Sequence, residues 1–258
     1  MRRFARFTNF VSMKSPIDQK PGLVKVPRWK RTLDMVFILL MLPVVVPLAV
    51  FIAVLIAVVS PGPVLFRQER VGFLGRRFMC LKFRTMHVGT ETNSHHAHLK
   101  QLIASDAPLV KLDARGDSRI IRSGGLLRSS GLDELPQLIN VLRGEMSMVG
   151  PRPCLPYESD KYLPWQWERF DTLPGLTGLW QVSGKNRTTF NEMMELDIQY
   201  ARRKTIWLDL AIILKTLPVL AGQVWDSRRR RKTHPNSIGT VLSAEKPTNN
   251  LKAFEEVN

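Results

Sequence analysis

The sequence predicts a mainly helical α+β protein that lies on one face of a membrane. Three observations carry that expectation. Residues 35–59 contain no charged side chain. Residues 64–71 and 77–83 have β character, with Gly72 and Gly75 between them to supply a turn. Farther on, Phe190–Arg203 reads as an amphipathic helix bearing Glu192, Glu195 and Asp197. Residues 206–220 are strongly apolar but carry Asp209 and Lys215. That second segment is too short and too charged to span a bilayer. It suits a helix lying in the interface, with a buried core helix as the alternative.

The uncharged run sets the topology. As one straight helix it is about 37 Å long, enough for a hydrocarbon core of about 30 Å. It starts too late, runs too long and lacks the small-x-small cleavage site of a signal peptide. Both flanks are basic. Arg28, Lys30 and Arg31 close the preceding segment, and Arg67, Arg70, Arg76, Arg77, Lys82 and Arg84 follow against Glu69 alone. A single crossing puts one of these flanks on the wrong side of the membrane. A re-entrant hairpin broken at Pro47, with about 20 Å of helix on either side, returns both to one face. A kinked span is the other solution, since proline is tolerated in spanning helices. The implied organisation is a basic arm (1–32), a membrane helix (33–59), a globular part (60–224) and a polar tail (225–258). In the tail, Arg228 to Lys232 form a cationic run suited to anionic lipid.

With 38 Lys+Arg against 22 Asp+Glu and a formal charge of +16, the chain asks for an anionic partner. Nucleic acid, anionic lipid and a phosphorylated substrate all qualify on charge. The cations are scattered through apolar elements rather than gathered on one recognition helix, so no nucleic acid is expected. A non-catalytic basic scaffold at the membrane stands as the alternative to an enzyme. The two cysteines, Cys80 and Cys154, match no metal spacing and no disulfide framework, which fits a reducing compartment. His95, His96 and His98 lack an acidic or cysteine partner at ligand spacing and read as ordinary histidines. Residues 174–187 combine glycines with Thr177, Ser183, Lys185 and Arg187. This is a weak sign of a phosphate cradle and no Walker loop.

The stretch that organises the rest is residues 126–153, LLRSSGLDELPQLINVLRGEMSMVGPRP. Asp133 and Glu134 open a short apolar helix. Arg119, Arg122 and Arg128 precede them, and Arg143 and Arg152 follow. Carboxylates hold divalent cations through oxygen, and arginine forks hold phosphate oxygens. The plainer reading is a helix start whose acids complement the dipole. On it, Leu135, Leu138, Ile139 and Leu142 form the buried face and Gly144 the stop.

Four motifs in order carry a resemblance. They are the K-R-x-x-D apolar segment from Lys30 to Pro47, L-K-F-R-T-M from Leu81, the L-D-E-L-P-Q-L block running from Leu132 to Pro153, and P-G-x-T-G-x-W-Q-V-S-G-x-N from Pro174. Together they closely resemble the bacterial sugar transferases, monotopic enzymes that move hexose 1-phosphate onto a polyprenyl phosphate. The likeness covers about residues 30–220. Two departures stand out. Val46-Pro47 replaces the family's Ser-Pro at the helix break, and Ser118 stands where relatives often have proline.

The resemblance implies that Asp133 is the nucleophile and that Glu134 helps bind Mg²⁺. It implies a UDP-sugar donor of glucose or galactose, an aspartyl phosphosugar intermediate and release of UMP. The acceptor is undecaprenyl phosphate, and the reaction primes exopolysaccharide or O-antigen synthesis. The expected place is the cytoplasmic face of the bacterial inner membrane, among its lipids. Lys82, Arg84, Arg119, Arg128 and Arg152 are the candidate phosphate contacts, and Pro47 is the re-entrant break.

Overall fold

The structure, a computed structural model, describes residues 25–88, 119–184 and 188–233, the last eight of these as backbone only. The basic arm up to residue 24, the three histidines, Ser118, residues 185–187 and the tail beyond residue 233 lie outside the described residues.

Helix α1 (Arg28–Val59) holds the uncharged run. Apolar side chains with no polar competitor favour continuous helix, and α1 runs unbroken through Pro43 and Pro47. The two segments expected on either side of Pro47 are thus one helical element. The helix ends at Ser60, whose N–H closes the last turn on Ile56 O before Pro61-Gly62-Pro63. Along α1 the outward residues Leu39, Leu40, Val44, Val50, Phe51 and Val54 are exposed, and Ile38, Ile52 and Ile56 are buried.

The K-R-x-x-D start of α1 is fully engaged. Lys30 Nζ donates to Asp209 Oδ2 at 2.7 Å and to Tyr200 Oη at 2.6 Å. Arg31 donates to the carbonyls of Val141 and Leu142, at 2.7 and 3.3 Å. Asp34 Oδ1 accepts from Ser147 Oγ and from the N–H of Met148, both at 2.9 Å. Three charged side chains thus pin one end of an apolar helix to three separate parts of the body.

The hairpin forms as the sequence predicts. Strands β1 (Leu65–Val71) and β2 (Arg77–Phe83) pair antiparallel, with Phe66 opposite Lys82 and Gln68 opposite Cys80. Past β2 the chain pairs once more: Met86 bridges Ile120, the N–H of His87 donates to Arg119 O, and the N–H of Ile121 donates to Thr85 O. This leads into α2 (Gly124–Ser130), a 3₁₀ turn (Leu132–Glu134) and α3 (Gln137–Arg143). Gly131, at φ +73, makes the left-handed corner between α2 and the turn, a conformation that disfavours any Cβ. Gly144, at φ +80, ends α3 as expected.

Strands β3 (Ser147–Val149) and β4 (Gly175–Thr177) form a short parallel pair. Here Gly150, Gly175 and Gly178 pack backbone against backbone, leaving no room for a Cβ on any of them. The glycines of the 174–187 stretch that are described serve this close approach. Helix α4 (Phe190–Arg203) has the predicted bounds and a Thr189–Glu192 capping box. Helix α5 (Ile206–Thr233) continues past Leu220 through Pro218 and over the arginine run. Arginine and lysine are good helix formers, so the charge run prolongs the helix rather than ending it. Asp209 and Ile212 face the body, while Trp207, Leu214, Leu217 and Trp225 are exposed.

Candidate active site

Asp133 and Glu134 sit on the 3₁₀ turn between α2 and α3, both partly exposed. The turn is carried by α3, which packs on β2 through Leu138 and Val141 and is hydrogen-bonded to it by Asn140. Asn140 is fully buried. Its Oδ1 accepts from the N–H of Leu81 at 3.1 Å, and its Nδ2 donates to Met79 O at 2.8 Å and Glu145 Oε2 at 2.6 Å. The amide supplies β2 with the donor and acceptor that a neighbouring strand would give. Lys82, the next residue along β2, then reaches across to Glu134, with Nζ 2.6 Å from Oε1.

The buried face of α3 differs from the expectation. Leu138, Val141, Gln137 and Asn140 point inward, whereas Ile139 and Leu142 are 41% and 50% exposed. The need to present Asn140 to β2 turns the helix so that two apolar residues of the expected stripe face out.

Arg152 stands on a loop held from below. The carbonyls of Pro151, Arg152 and Pro153 accept from Gly175 N, Arg169 Nη2 and Arg70 Nη1, at 2.9, 2.8 and 3.0 Å. The Arg152 side chain is exposed. Cys80 lies within electrostatic range of Lys82, Arg70, Glu134 and Arg152. Burial is the main reason the Cys80 thiol is pushed above its ordinary value. Arg128 lies in the last turn of α2, five positions ahead of Asp133, and Arg119 lies on the segment paired with residues 85–87. Both are partly buried.

Arg84 is placed differently. Strand alternation puts it on the face of Lys82, but β2 ends at Phe83. The guanidinium of Arg84, 5% exposed, donates to Pro61 O at 2.7 Å and Ser60 O at 2.5 Å. It ties the exit of α1 to the end of β2. Prolines 61 and 63 supply no N–H in that stretch, so its carbonyls take a side-chain donor.

A sequence model described as bacterial sugar transferase matches residues 26–223. The chain belongs to that family. This sugar transferase is 42% identical over 205 residues to the UDP-glucose:undecaprenyl-phosphate glucose-1-phosphate transferase of Caulobacter vibrioides, covering 76% of the chain and 71% of the relative. It is 39% identical over 201 residues to the UDP-galactose-lipid carrier transferase of Erwinia amylovora, covering 74% of the chain but 40% of that protein. With the exopolysaccharide production protein ExoY of Rhizobium meliloti it shares 35% over 192 residues, covering 74% of the chain and 84% of ExoY. The chain spans less than half the length of the Erwinia relative and of some other curated relatives, so it matches one region of those longer proteins.

Among the described residues of the sugar transferase, no three His, Cys, Asp or Glu side chains gather as a metal cage. A pair of adjacent, partly exposed carboxylates suits Mg²⁺, which keeps most of its water and binds through one or two carboxylates plus substrate phosphate. Sequence reasoning assigned no part to Asn140. Arg169 and Asp197, the buried pair below the Arg152 loop, were also missed. An asparagine inside an otherwise apolar helix and an arginine among aromatics were the signals available.

Proposed function

We propose that this sugar transferase moves a hexose 1-phosphate, from UDP-glucose or UDP-galactose, to undecaprenyl phosphate and so primes exopolysaccharide or O-antigen synthesis. The observation that carries the reading is the Asp133–Glu134 turn with Lys82 on Glu134, in a chain whose relatives are named for this transfer.

A carboxylate oxygen of Asp133 attacks the β-phosphorus of the donor. The bond from that phosphorus to the bridging oxygen breaks, and UMP leaves with the electron pair. Sugar phosphate is then held as an aspartyl ester. An oxygen of undecaprenyl phosphate attacks the same phosphorus, the aspartyl bond breaks, and Asp133 returns as carboxylate. Splitting the transfer lets a soluble nucleotide and a membrane lipid use one site in turn. Glu134 with Asp133 would hold Mg²⁺, which neutralises phosphate charge when bound. Lys82 keeps Glu134 in place, and Arg119, Arg128 and Arg152 are the cations for the diphosphate. Arg84 is read here as the residue that sets β2 against the end of α1.

The membrane reading is a re-entrant α1 with the site at the cytoplasmic headgroup plane. Its support is packing. Ile38 belongs to a cluster with Cys80, and Ile52 and Ile56 belong to one with Phe83. The two groups on α1 are about 20 Å apart along a straight helix axis, and their strand partners only about 10 Å apart. Both halves of α1 therefore lie against the same body, and the exposed apolar middle is what enters lipid. Ile139 and Leu142, exposed beside the site, suit the same boundary.

The test is capture of the adduct. Donor labelled in the sugar, added with Mg²⁺ and no lipid, should leave label on the wild-type chain with UMP released in equal amount. Asp133→Asn should take up none, and added undecaprenyl phosphate should discharge the wild-type label. Multiple turnover by Asp133→Asn would overturn the assignment.

A further inference from the structure

The Arg152 loop has an unusual foundation. Pro151 and Pro153 fix φ on both sides of Arg152. Underneath lies Arg169, 2% exposed and committed on every side but one. Its Nη1 donates to Tyr162 Oη at 2.7 Å, and its Nη2 donates to Asp197 Oδ2 at 2.6 Å and Arg152 O at 2.8 Å. Asp197 is equally buried. Buried ion pairs are poor sources of net stability, because desolvation offsets most of the attraction. A folding role alone would be served as well by packed apolar side chains. What the pair supplies is a rigid fork beneath the backbone of one exposed arginine.

That arginine is exposed, and the acidic turn shares its electrostatic surroundings. Arg152 lies in the electrostatic surroundings of Cys80, as do Lys82 and Glu134. It also lies in those of Arg70 and Asp197. Three arginines, at 70, 152 and 169, converge on a loop of three residues. Two are spent on its carbonyls, which leaves the third side chain to project from it.

We propose that Arg169, oriented by Asp197 and Tyr162, is a positioning residue that aims Arg152 at the diphosphate of the nucleotide-sugar donor. The inference rests on the reading of Arg152 as a phosphate contact given above. Lysine cannot take the place of Arg169, because one Nζ cannot span Tyr162, Asp197 and the Arg152 carbonyl in the planar fork geometry.

The experiment compares the full chain with Arg169→Lys, Arg152→Gln and the double variant, measuring kcat and KM for the UDP-sugar and KM for undecaprenyl phosphate. Arg169→Lys should raise the donor KM about 10-fold with the lipid KM unchanged, as is typical when one charge-assisted contact is misaligned. Arg152→Gln should do the same, and the double variant should be no worse than the more affected single one. A donor KM at the wild-type value in Arg169→Lys, or single effects that multiply in the double, overturns the positioning role while Arg152 keeps its own. A wild-type donor KM in Arg152→Gln overturns the underlying reading, and this proposal with it. If Arg169→Lys fails to accumulate, Tyr162→Phe, which takes the hydroxyl acceptor from Nη1 and leaves it Met194 Sδ at 3.6 Å, takes its place and is read in the same way.

Discussion

Lys82 Nζ lies 2.6 Å from Glu134 Oε1, and this contact closes the gap between the hairpin and the acidic turn. The side chains are 23% and 37% exposed, so the pair is too wet to contribute much to folding. Its value is local: it fixes the Glu134 carboxylate next to Asp133.

Removing the lysine should therefore separate activity from stability. Lys82→Met should lower Tm by no more than a few degrees, in keeping with a partly exposed pair worth about 0–1 kcal/mol. The same change should cut kcat/KM for the UDP-sugar by about 10²-fold, the usual cost of losing one preorganised charge. Thermal melts and steady-state UMP release measure the two. A parallel drop in both would mean that Lys82 is structural.

Asn140 offers the converse case. Asn140→Ala leaves the N–H of Leu81 and the carbonyl of Met79 without their buried partner. Each such orphan costs about 1–3 kcal/mol, so the loss should be about 2–6 kcal/mol. Denaturant unfolding gives this directly. Asn140→Asp keeps an acceptor for Leu81 but faces Met79 O and Glu145 Oε2 with oxygens instead of a donor, so it should fare no better than alanine.

Much of this architecture is legible in the sequence where a pattern repeats over several residues. The hairpin, α4 and the stop at Gly144 are legible to within a residue, because β-rich runs around a glycine turn, an amphipathic pattern and a glycine after a helix are local signals. Parallel β3 and β4 were not, since three-residue strands show no period. The face of α3 was misjudged because one long-range partner, β2, outweighs the periodicity of seven residues. The acidic turn was legible as chemistry through four motifs in order. The foundation beneath it was not, because Arg169 and Asp197 lie 28 positions apart and only the fold joins them.

The thiols make a pH prediction. Burial pushes Cys154 up to about 11 from an ordinary value of 9.0. The folded state keeps its proton where the unfolded chain has lost it, so stability is full below about pH 9 and falls as pH rises toward about 11. The fall is at most about 3 kcal/mol from this group. The Tyr162 hydroxyl, raised by its own burial, adds to the same trend. Cys154→Ala should flatten the alkaline limb of a Tm-versus-pH curve. Neither Cys80 nor Cys154, each 1% exposed, should react with an alkylating reagent at neutral pH until the protein unfolds.

The anchoring of α1 gives the sharpest non-additive test. Lys30 is fully buried against Asp209 and Tyr200, and Tyr200 Oη in turn lies 2.7 Å from Asp209 Oδ1. Lys30→Met strands a buried carboxylate, which costs about 3–5 kcal/mol and should lower Tm by about 10 °C. Adding Asp209→Leu removes the stranded charge, so the double variant should recover at least half of that loss. Melts of the four proteins in one detergent complete the cycle. If the two substitutions merely add, the pair is not what binds the membrane helix to the body. The remaining contacts of Arg31 and Asp34 would then have to carry that attachment.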